Sequence, residues 1–344
     1  MFDKRKIFHN DFEIDNISKS KEASKPSFVV TVDTEADNAW SNPTEIKLDN
    51  MKAIPQFQDL CEKYNVIPTY LITYECATRD EAIKVLKPIL DRGKCEIGHH
   101  LHVWSTPPFQ KDNGKGVDLD WVHAYQSELP DSLFSEKAEV LKRAIEEHYG
   151  VSPKSHRAGR WGGDKRTINW LMENNFTVDT SILPLTNFNN MSGKNKTGPN
   201  FYFESFDSFI LKNGNKKLNE IPVTVNSTPA LFINILKLAV SFNLLSERNA
   251  YKIFRKLGGG TKLTPSLDFS IESYLNTIKD ESILGRKVIN FSLHSSEVSL
   301  GHSPITSTKE GYEYYLSVLE NSFRVVNEIN LNRKGISSVM LDKA

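Results

Sequence analysis

Short runs of β-branched and aromatic residues alternate along the chain with longer segments whose apolar positions recur every three or four residues. A continuous apolar run marks a strand buried on both faces, and the three-to-four spacing marks a helix with one buried side. Phe28–Val32 (FVVTV) is the first such run. Met51, Ile54, Phe57, Leu60 and Cys61 then predict a helix over 50–64, with Pro55 kinking it or marking a later start. Strands are predicted over 66–73 and 95–102. Between them lies a helix over 78–91, opened by a Thr78–Glu81 capping box and stopped by Gly93. A helix over 135–149, closed by Gly150, leads to a strand over 154–157, a helix over 164–174 and a short strand over 176–179. Further strands are expected over 220–225 and 286–294, then a long helix over 308–329 and a last strand over 336–341.

Alternation at this spacing predicts an α/β fold, a parallel sheet with helical crossovers. Seven or eight such units favour a distorted (β/α)7-type barrel over an open sheet. Two segments break the rhythm. Residues 186–219, rich in Asn, Gly and Lys, read as a long loop, and 229–282, ending its first part at Gly258–Gly260, as a helical insertion or lid. Residues 1–26 read as a flexible lead-in, and 27–344 as one barrel domain carrying that insertion.

Composition narrows the classes of function. Forty-three Lys and Arg balance forty-three Asp and Glu, so the surplus of cations that drives nucleic-acid binding is missing. A hydrophobic content of 39%, with 10% aromatic residues, supports a core and argues against a disordered chain. Cys61, Cys76 and Cys95 form no CxxC pair, which fits a reducing compartment. The first residues carry charge but no apolar h-region, so a secretory signal is not expected and a cytoplasmic location is. The stretch 230–245 is too short and too polar to span a bilayer. It reads as an amphipathic helix, either packed on the barrel or in weak contact with a membrane surface.

Candidate chemistry gathers where strands end. In TVDTEAD (31–37), Asp33, Glu35 and Asp37 fall on one face of an extended chain, where crowded carboxylates favour a cation or a shared proton. In EIGHHLHVW (96–104), His100 and His102 share a face while His99 points away; two neutral imidazoles suit a divalent ion such as zinc. SHRAGRWGGD (155–164) brings Arg157, Arg160 and Trp161, and FSLHSSEV (291–298) brings His294. An arginine beside an acidic site holds a carboxylate ionised. Asp179 ends the 176–179 strand. Each feature alone also reads as a solvated turn, a salt bridge, a helix cap or a core histidine. Together they lie at the carboxyl ends of predicted strands, the face that holds the active site of a parallel barrel.

The four ordered motifs TVDTE (31–35), EIGHHLHVW (96–104), HRAGRWG (156–162) and FSLH (291–294) resemble those of the polysaccharide deacetylase family. This is the NodB-homology group, carbohydrate esterase family 4. The SHRAGRW and HSSE stretches are similar to a divergent branch found among lipopolysaccharide and exopolysaccharide biosynthesis proteins. The resemblance runs from about Phe28 to Leu341. It implies a distorted (β/α)7 barrel, a divalent metal that is usually zinc, and hydrolysis of an N- or O-acetyl group on a sugar or glycan. It also implies roles: Asp33 as base, Arg157 orienting it, His294 as acid and His100 as a metal ligand. The family's second acid position holds Thr34 and its second metal histidine position holds Trp104, so Glu35 and His102 take the ligand roles. Trp104, Arg160, Trp161 and Asp179 remain as substrate-binding residues. Three alternatives stay open: a metal-dependent hydrolase of another C–N amide, a metal-free glycosidase using two carboxylates, and a non-catalytic glycan-binding homologue.

Overall fold

The sequence FVVTV opens the strand on which the fold is built, because neither of its faces offers a polar group to water. In the computed structural model, which describes residues 7–8, 10–16, 25–37, 39 and 44–341, this strand is β2, Ser27–Thr34, buried along almost its whole length. It pairs in parallel with β3 (Pro68–Ile72) on one side and β9 (Val288–His294) on the other. From β3 the ladder continues in parallel through β4 (Glu96–Leu101), β5 (Ser155–Ala158), β6 (Val178–Asp179) and β8 (Lys216–Glu220). The sheet curls, and irregular backbone completes it. Beyond β8, Thr224 donates its N–H to Asn290 O of β9, and Leu263 and Ser292 extend the stitch.

Helices cross between the strands as the periodicity requires. They are α1 (Ile54–Lys63), α2 (Tyr74–Thr78), α3 (Asp80–Asp91), α4 (Asp131–Tyr149), α5 (Lys165–Glu173) and α9 (Lys309–Glu328). Pro55 lies in the first turn of α1, where its missing N–H costs nothing; the preceding residues form a 3₁₀ turn. Gly150 closes α4 with φ 71°, a conformation that favours glycine. Residues 229–282 hold three helices, α6 (Ala230–Ser241), α7 (Glu247–Lys256) and, at their end, α8 (Ile271–Ile283).

Five local expectations change, the first being the strand over 220–225: β8 ends at Glu220, and 221–225 carry only an isolated bridge from Val225 to Lys262. The region 186–219 is not loop throughout: β7 (Phe209–Asn213) and β8 form an antiparallel hairpin. Its turn is Gly214-Asn215, with Gly214 at φ 58° in the first central position, a hairpin signal in the sequence. The Thr78–Glu81 capping box does not form, because α2 ends there and Thr78 Oγ1 donates back to Tyr74 O at 2.9 Å. Within the 1–26 segment, Glu13–Asn16 is a strand, β1, paired with β7. The last strand is β10 (Asn332–Arg333), not 336–341. There Ile336, Val339 and Leu341 instead pack with Val29, Val178 and Val288 near the amino ends of the barrel strands. That packing seals the end opposite the candidate site. The three cysteines are buried free thiols.

Candidate active site

The ladder places the chemistry two by two. Asp33 at the end of β2 is in register with His294 at the end of β9, and His100 of β4 with Arg157 of β5. Alternation along β2 and just past it turns Asp33 and Glu35 into the mouth of the barrel and Thr34 away, where its Oγ1 donates to Val32 O at 2.9 Å. With Thr34 excluded, Glu35 is the second acid at the site.

Arg157 is completely buried, and every hydrogen bond it makes is internal. Its Nη1 donates to Asp33 Oδ1 at 2.5 Å and to Ser292 Oγ at 3.0 Å, its Nη2 to Thr31 Oγ1 at 2.8 Å, and its Nε to Thr180 O at 2.9 Å. Thr31 and Asn290 continue a polar layer across the barrel interior, Thr31 Oγ1 donating to Asn290 Oδ1 at 3.0 Å. A buried charge is tolerable only when so paired. Burial raises the Asp33 carboxyl, but Arg157, His100 and His294 outweigh it and hold the group below its ordinary value.

Glu35, His100 and His102 are buried and bring one ligand atom each within 4.8 Å of the others. Glu35 Oε2 lies 3.1 Å from His102 Nε2 and 3.6 Å from His100 Nε2. His100 Nδ1 bonds Arg157 O at 2.9 Å, which fixes that ring and turns its Nε2 toward Glu35. His102 Nδ1 is buried with no hydrogen-bond partner among the described residues. Burial pushes the His102 imidazole well below its ordinary pKa, into the neutral form that ligates metals. For His100, burial acts downward but Asp33 and Glu35 prevail and raise it. Gly159 makes room for this group: a Cβ there would lie 2.3 Å from Leu101 O and 2.6 Å from His102 Cδ2.

His294 Nε2 is 3.8 Å from Asp33 Oδ2 across the mouth. Its other ring nitrogen faces Glu297 Oε1 at 3.3 Å, and its own backbone N–H donates to Glu297 Oε2 at 2.8 Å. Tyr315 holds the same Oε2 at 2.7 Å. Burial lowers the His294 imidazole, but Glu297, Glu35 and Asp33 more than reverse this and push it up to about 10. Glu297 stands in the HSSE turn, yet its return to the histidine three residues back emerges only from the turn's geometry.

These groups open on a cavity of about 220 Å³. Trp104, Arg160 and Trp161 line it, joined by His123, Phe188 and Met191. Trp104 fills the place where the resemblance puts a histidine, its ring centroid 4.4 Å from that of His102. Arg160 and Trp161 both have positive φ, 54° and 64°, which bends the chain so that both side chains reach the wall. Arg160 is tied to His123 O and to Ser192 O, and Trp161 stacks on Phe188 at an interplanar angle of 9°. Asp179 departs from expectation. It is buried below the cavity, accepts from Ser181 Oγ at 2.8 Å and faces Glu220, its register partner, so it touches no part of the cleft. Asp37 caps the turn at residues 49 and 50 by accepting from both backbone N–H groups. His99 points to the far face of β4, as alternation requires.

No known family model matches the chain, and no curated protein matches it. Among solved structures, it superposes on a candidate polysaccharide deacetylase from Mycobacterium smegmatis with a TM-score of 0.57. Sequence identity is 14%, over 96% of this chain and 93% of that one. Looser superpositions join it to a 4-alpha-glucanotransferase from Thermococcus litoralis and to a peptidoglycan N-acetylglucosamine deacetylase. The former has a TM-score of 0.48 and 11% identity over 92% of this chain and 40% of that one. The latter has a TM-score of 0.46 and 12% identity over 93% and 90%. The first likeness bears out the fold, an α/β distorted (β/α)7-type barrel. At these identities fold does not carry function, and the reading of activity rests on the site.

Proposed function

We propose that the protein is a metal-dependent hydrolase that removes an N- or O-acetyl group from a sugar of a surface polysaccharide or its precursor. The observation that carries this reading is the buried Glu35–His100–His102 group opening on the same cavity as Asp33 and His294. The motif resemblance supports it, and the similar mycobacterial structure is itself named as a candidate polysaccharide deacetylase. Two imidazoles and a carboxylate, with His102 held neutral by burial and its Nε2 facing Glu35, are a donor set that suits zinc. Glu35, His100 and His102 would hold the ion, which when bound supplies a Lewis acid and an acidified water.

The remaining work falls to the chain's own side chains. Asp33, kept ionised by Arg157, accepts a proton from the attacking water at Oδ2, the oxygen that Arg157 does not hold. His294, kept protonated by Glu297, donates from Nε2 to the departing sugar nitrogen, which leaves poorly as an amide anion. These two atoms are 3.8 Å apart in the resting site, close enough for base and acid to serve the incoming water and the leaving nitrogen of one tetrahedral centre. Trp104 and Trp161 wall the sugar, and Arg160, tethered at its guanidinium, braces that wall. In this reading the glycan is of lipopolysaccharide or exopolysaccharide type and the reaction is cytoplasmic. Acetate release from N-acetylated oligosaccharides tests the proposal. It is expected with zinc and lost in a chelator or in Asp33→Asn. Sugar binding with no release under any divalent ion would leave only a glycan-binding role.

A further inference from the structure

The helix α6 carries two apolar faces, and the barrel covers one of them. Ile233, Leu236 and Val240 are buried, in one cluster with Val223, Val225, Ala250 and Phe254. On the other face Leu231, Phe232, Ile235, Leu238 and Phe242 are exposed, and Leu244 follows them; Leu231 is 70% and Leu244 75% accessible. Positions 231, 235, 238 and 242 recur at helical spacing, so they form a stripe rather than scattered residues. Isolated exposed leucines need no explanation, but a contiguous stripe of this kind marks an interaction surface.

The neighbouring helix α7 supplies the charge. It buries Ala250 and Phe254 in the same cluster, and its outer side shows Ile253 and Leu257 beside Lys252 and Lys256. From Ala230 to Lys262 the chain has six lysines and arginines and one acid, Glu247, although the whole chain is neutral. Glu247 is engaged by Asn187 and Asn200. Arg248, Lys252 and Lys256 are exposed, and none pairs with an acid among the described residues. A second copy of the chain docking by this face would set these cations against their own counterparts. No helix among the described residues is long and apolar enough to cross a membrane, so contact with a bilayer would be at its surface.

We infer that the α6–α7 face docks on an anionic phospholipid bilayer, the apolar stripe seated at the headgroup boundary and Arg248, Lys252 and Lys256 against lipid phosphates. An apolar helical face edged by cations is the physical signature of such a surface contact. Trp161 and Phe188, which line the cavity, pack against the same cluster as the buried sides of α6 and α7, so the two helices that carry the docked face stand beside the cleft.

The test uses the full chain and phosphatidylcholine vesicles with and without about one-third phosphatidylglycerol, read by cosedimentation. Binding is expected to the anionic vesicles and to weaken with added salt. Leu231→Ser with Ile235→Ser, and separately Lys252→Glu with Lys256→Glu, should each lower the partition about tenfold or more while the thermal melt is kept. All four side chains are exposed, so the variants should fold. No binding by the wild-type chain, or undiminished binding by both folded variants, overturns the proposal. So does a concentration-dependent dimer that the Leu231/Ile235 variant abolishes in a chain that ignores vesicles. The readout is independent of acetyl hydrolysis, so it stands or falls apart from the deacetylase reading.

Discussion

His99 and His100 are neighbours on one strand and have opposite fates. His99 faces the helices, where its Nδ1 meets His156 Nδ1 at 2.9 Å and its Nε2 meets Ala138 O at 3.1 Å. Trp170 and Phe176 flank it with ring centroids 5.7 Å away. Burial pushes His99 down to about 3 and His156 well below its usual value, so both are neutral. His100 faces the barrel mouth and, with His102, meets Glu35; Asp33 adds its charge. Both pairs are buried, and both contain two imidazoles in close contact. What separates them is an acid on the same face: the first pair is a hydrogen-bonded piece of core, and the second can hold a cation. A histidine pair is therefore read by the carboxylates beside it, not by its own spacing.

The largest effects expected from this contrast lie in the chemistry. Asp33→Asn and His294→Ala should each cut kcat/KM for acetate release by about 10²–10⁴-fold with the fold intact. Substituting His99 or His156 should change stability instead, by about 1–3 kcal/mol for the partner left unpaired, without a specific loss of turnover in the folded fraction. A His156→Phe variant that folds fully yet loses acetate release would erase the distinction between the two pairs.

A smaller effect concerns protonation. Glu297 is the first of the neighbours that raise His294 against its burial, so Glu297→Gln should lower the histidine's pKa. The acid must be protonated to act, so the alkaline fall of kcat/KM should move to lower pH in the variant than in the wild type. Bound metal lowers both profiles in the same sense and leaves their order unchanged. An unshifted alkaline limb would remove Glu297 from any role in holding His294.

The smallest effect carries the same lesson to acids. Asp179 and Glu220 face each other with no cation in direct contact among the described residues, and burial, then the charge of Asp179, pushes Glu220 well above its usual value. Its folded-state pKa lies above its unfolded one. The stability it lends is present at low pH and lost as pH rises toward the folded value. Glu220→Gln needs no such proton, so its melting temperature should fall less than the wild type's between about pH 6 and pH 9. Equal slopes would mean the pair is not sharing a proton.

Much of the site could be read from the sequence because it sits on strands and their ends, where alternation assigns faces. Asp33 and Glu35 toward the mouth, Thr34 away, His100 and His102 together and His99 behind all follow from a period of two. The same rule misled for Asp179, which also ends a strand but lies below the cavity, because a two-residue strand gives no depth along the barrel. Phe188 and Met191 reach the cleft from a long segment with no periodicity to place them. Glu297 depends on a tight turn folding back on its own histidine, which spacing alone does not encode. The 209–220 hairpin was legible in Gly214-Asn215, and only the polar composition around it argued for loop.

The central claim is that Glu35, His100 and His102 hold a metal and the equally buried His99–His156 pair does not. Metal content per chain, measured by mass spectrometry after zinc loading and desalting, tests it most directly. The wild type and a folded His156→Phe variant should retain one equivalent, whereas Glu35→Ala, His100→Ala and His102→Ala should retain far less. Undiminished zinc in those three folded variants, or its loss with His156 alone, would contradict the account.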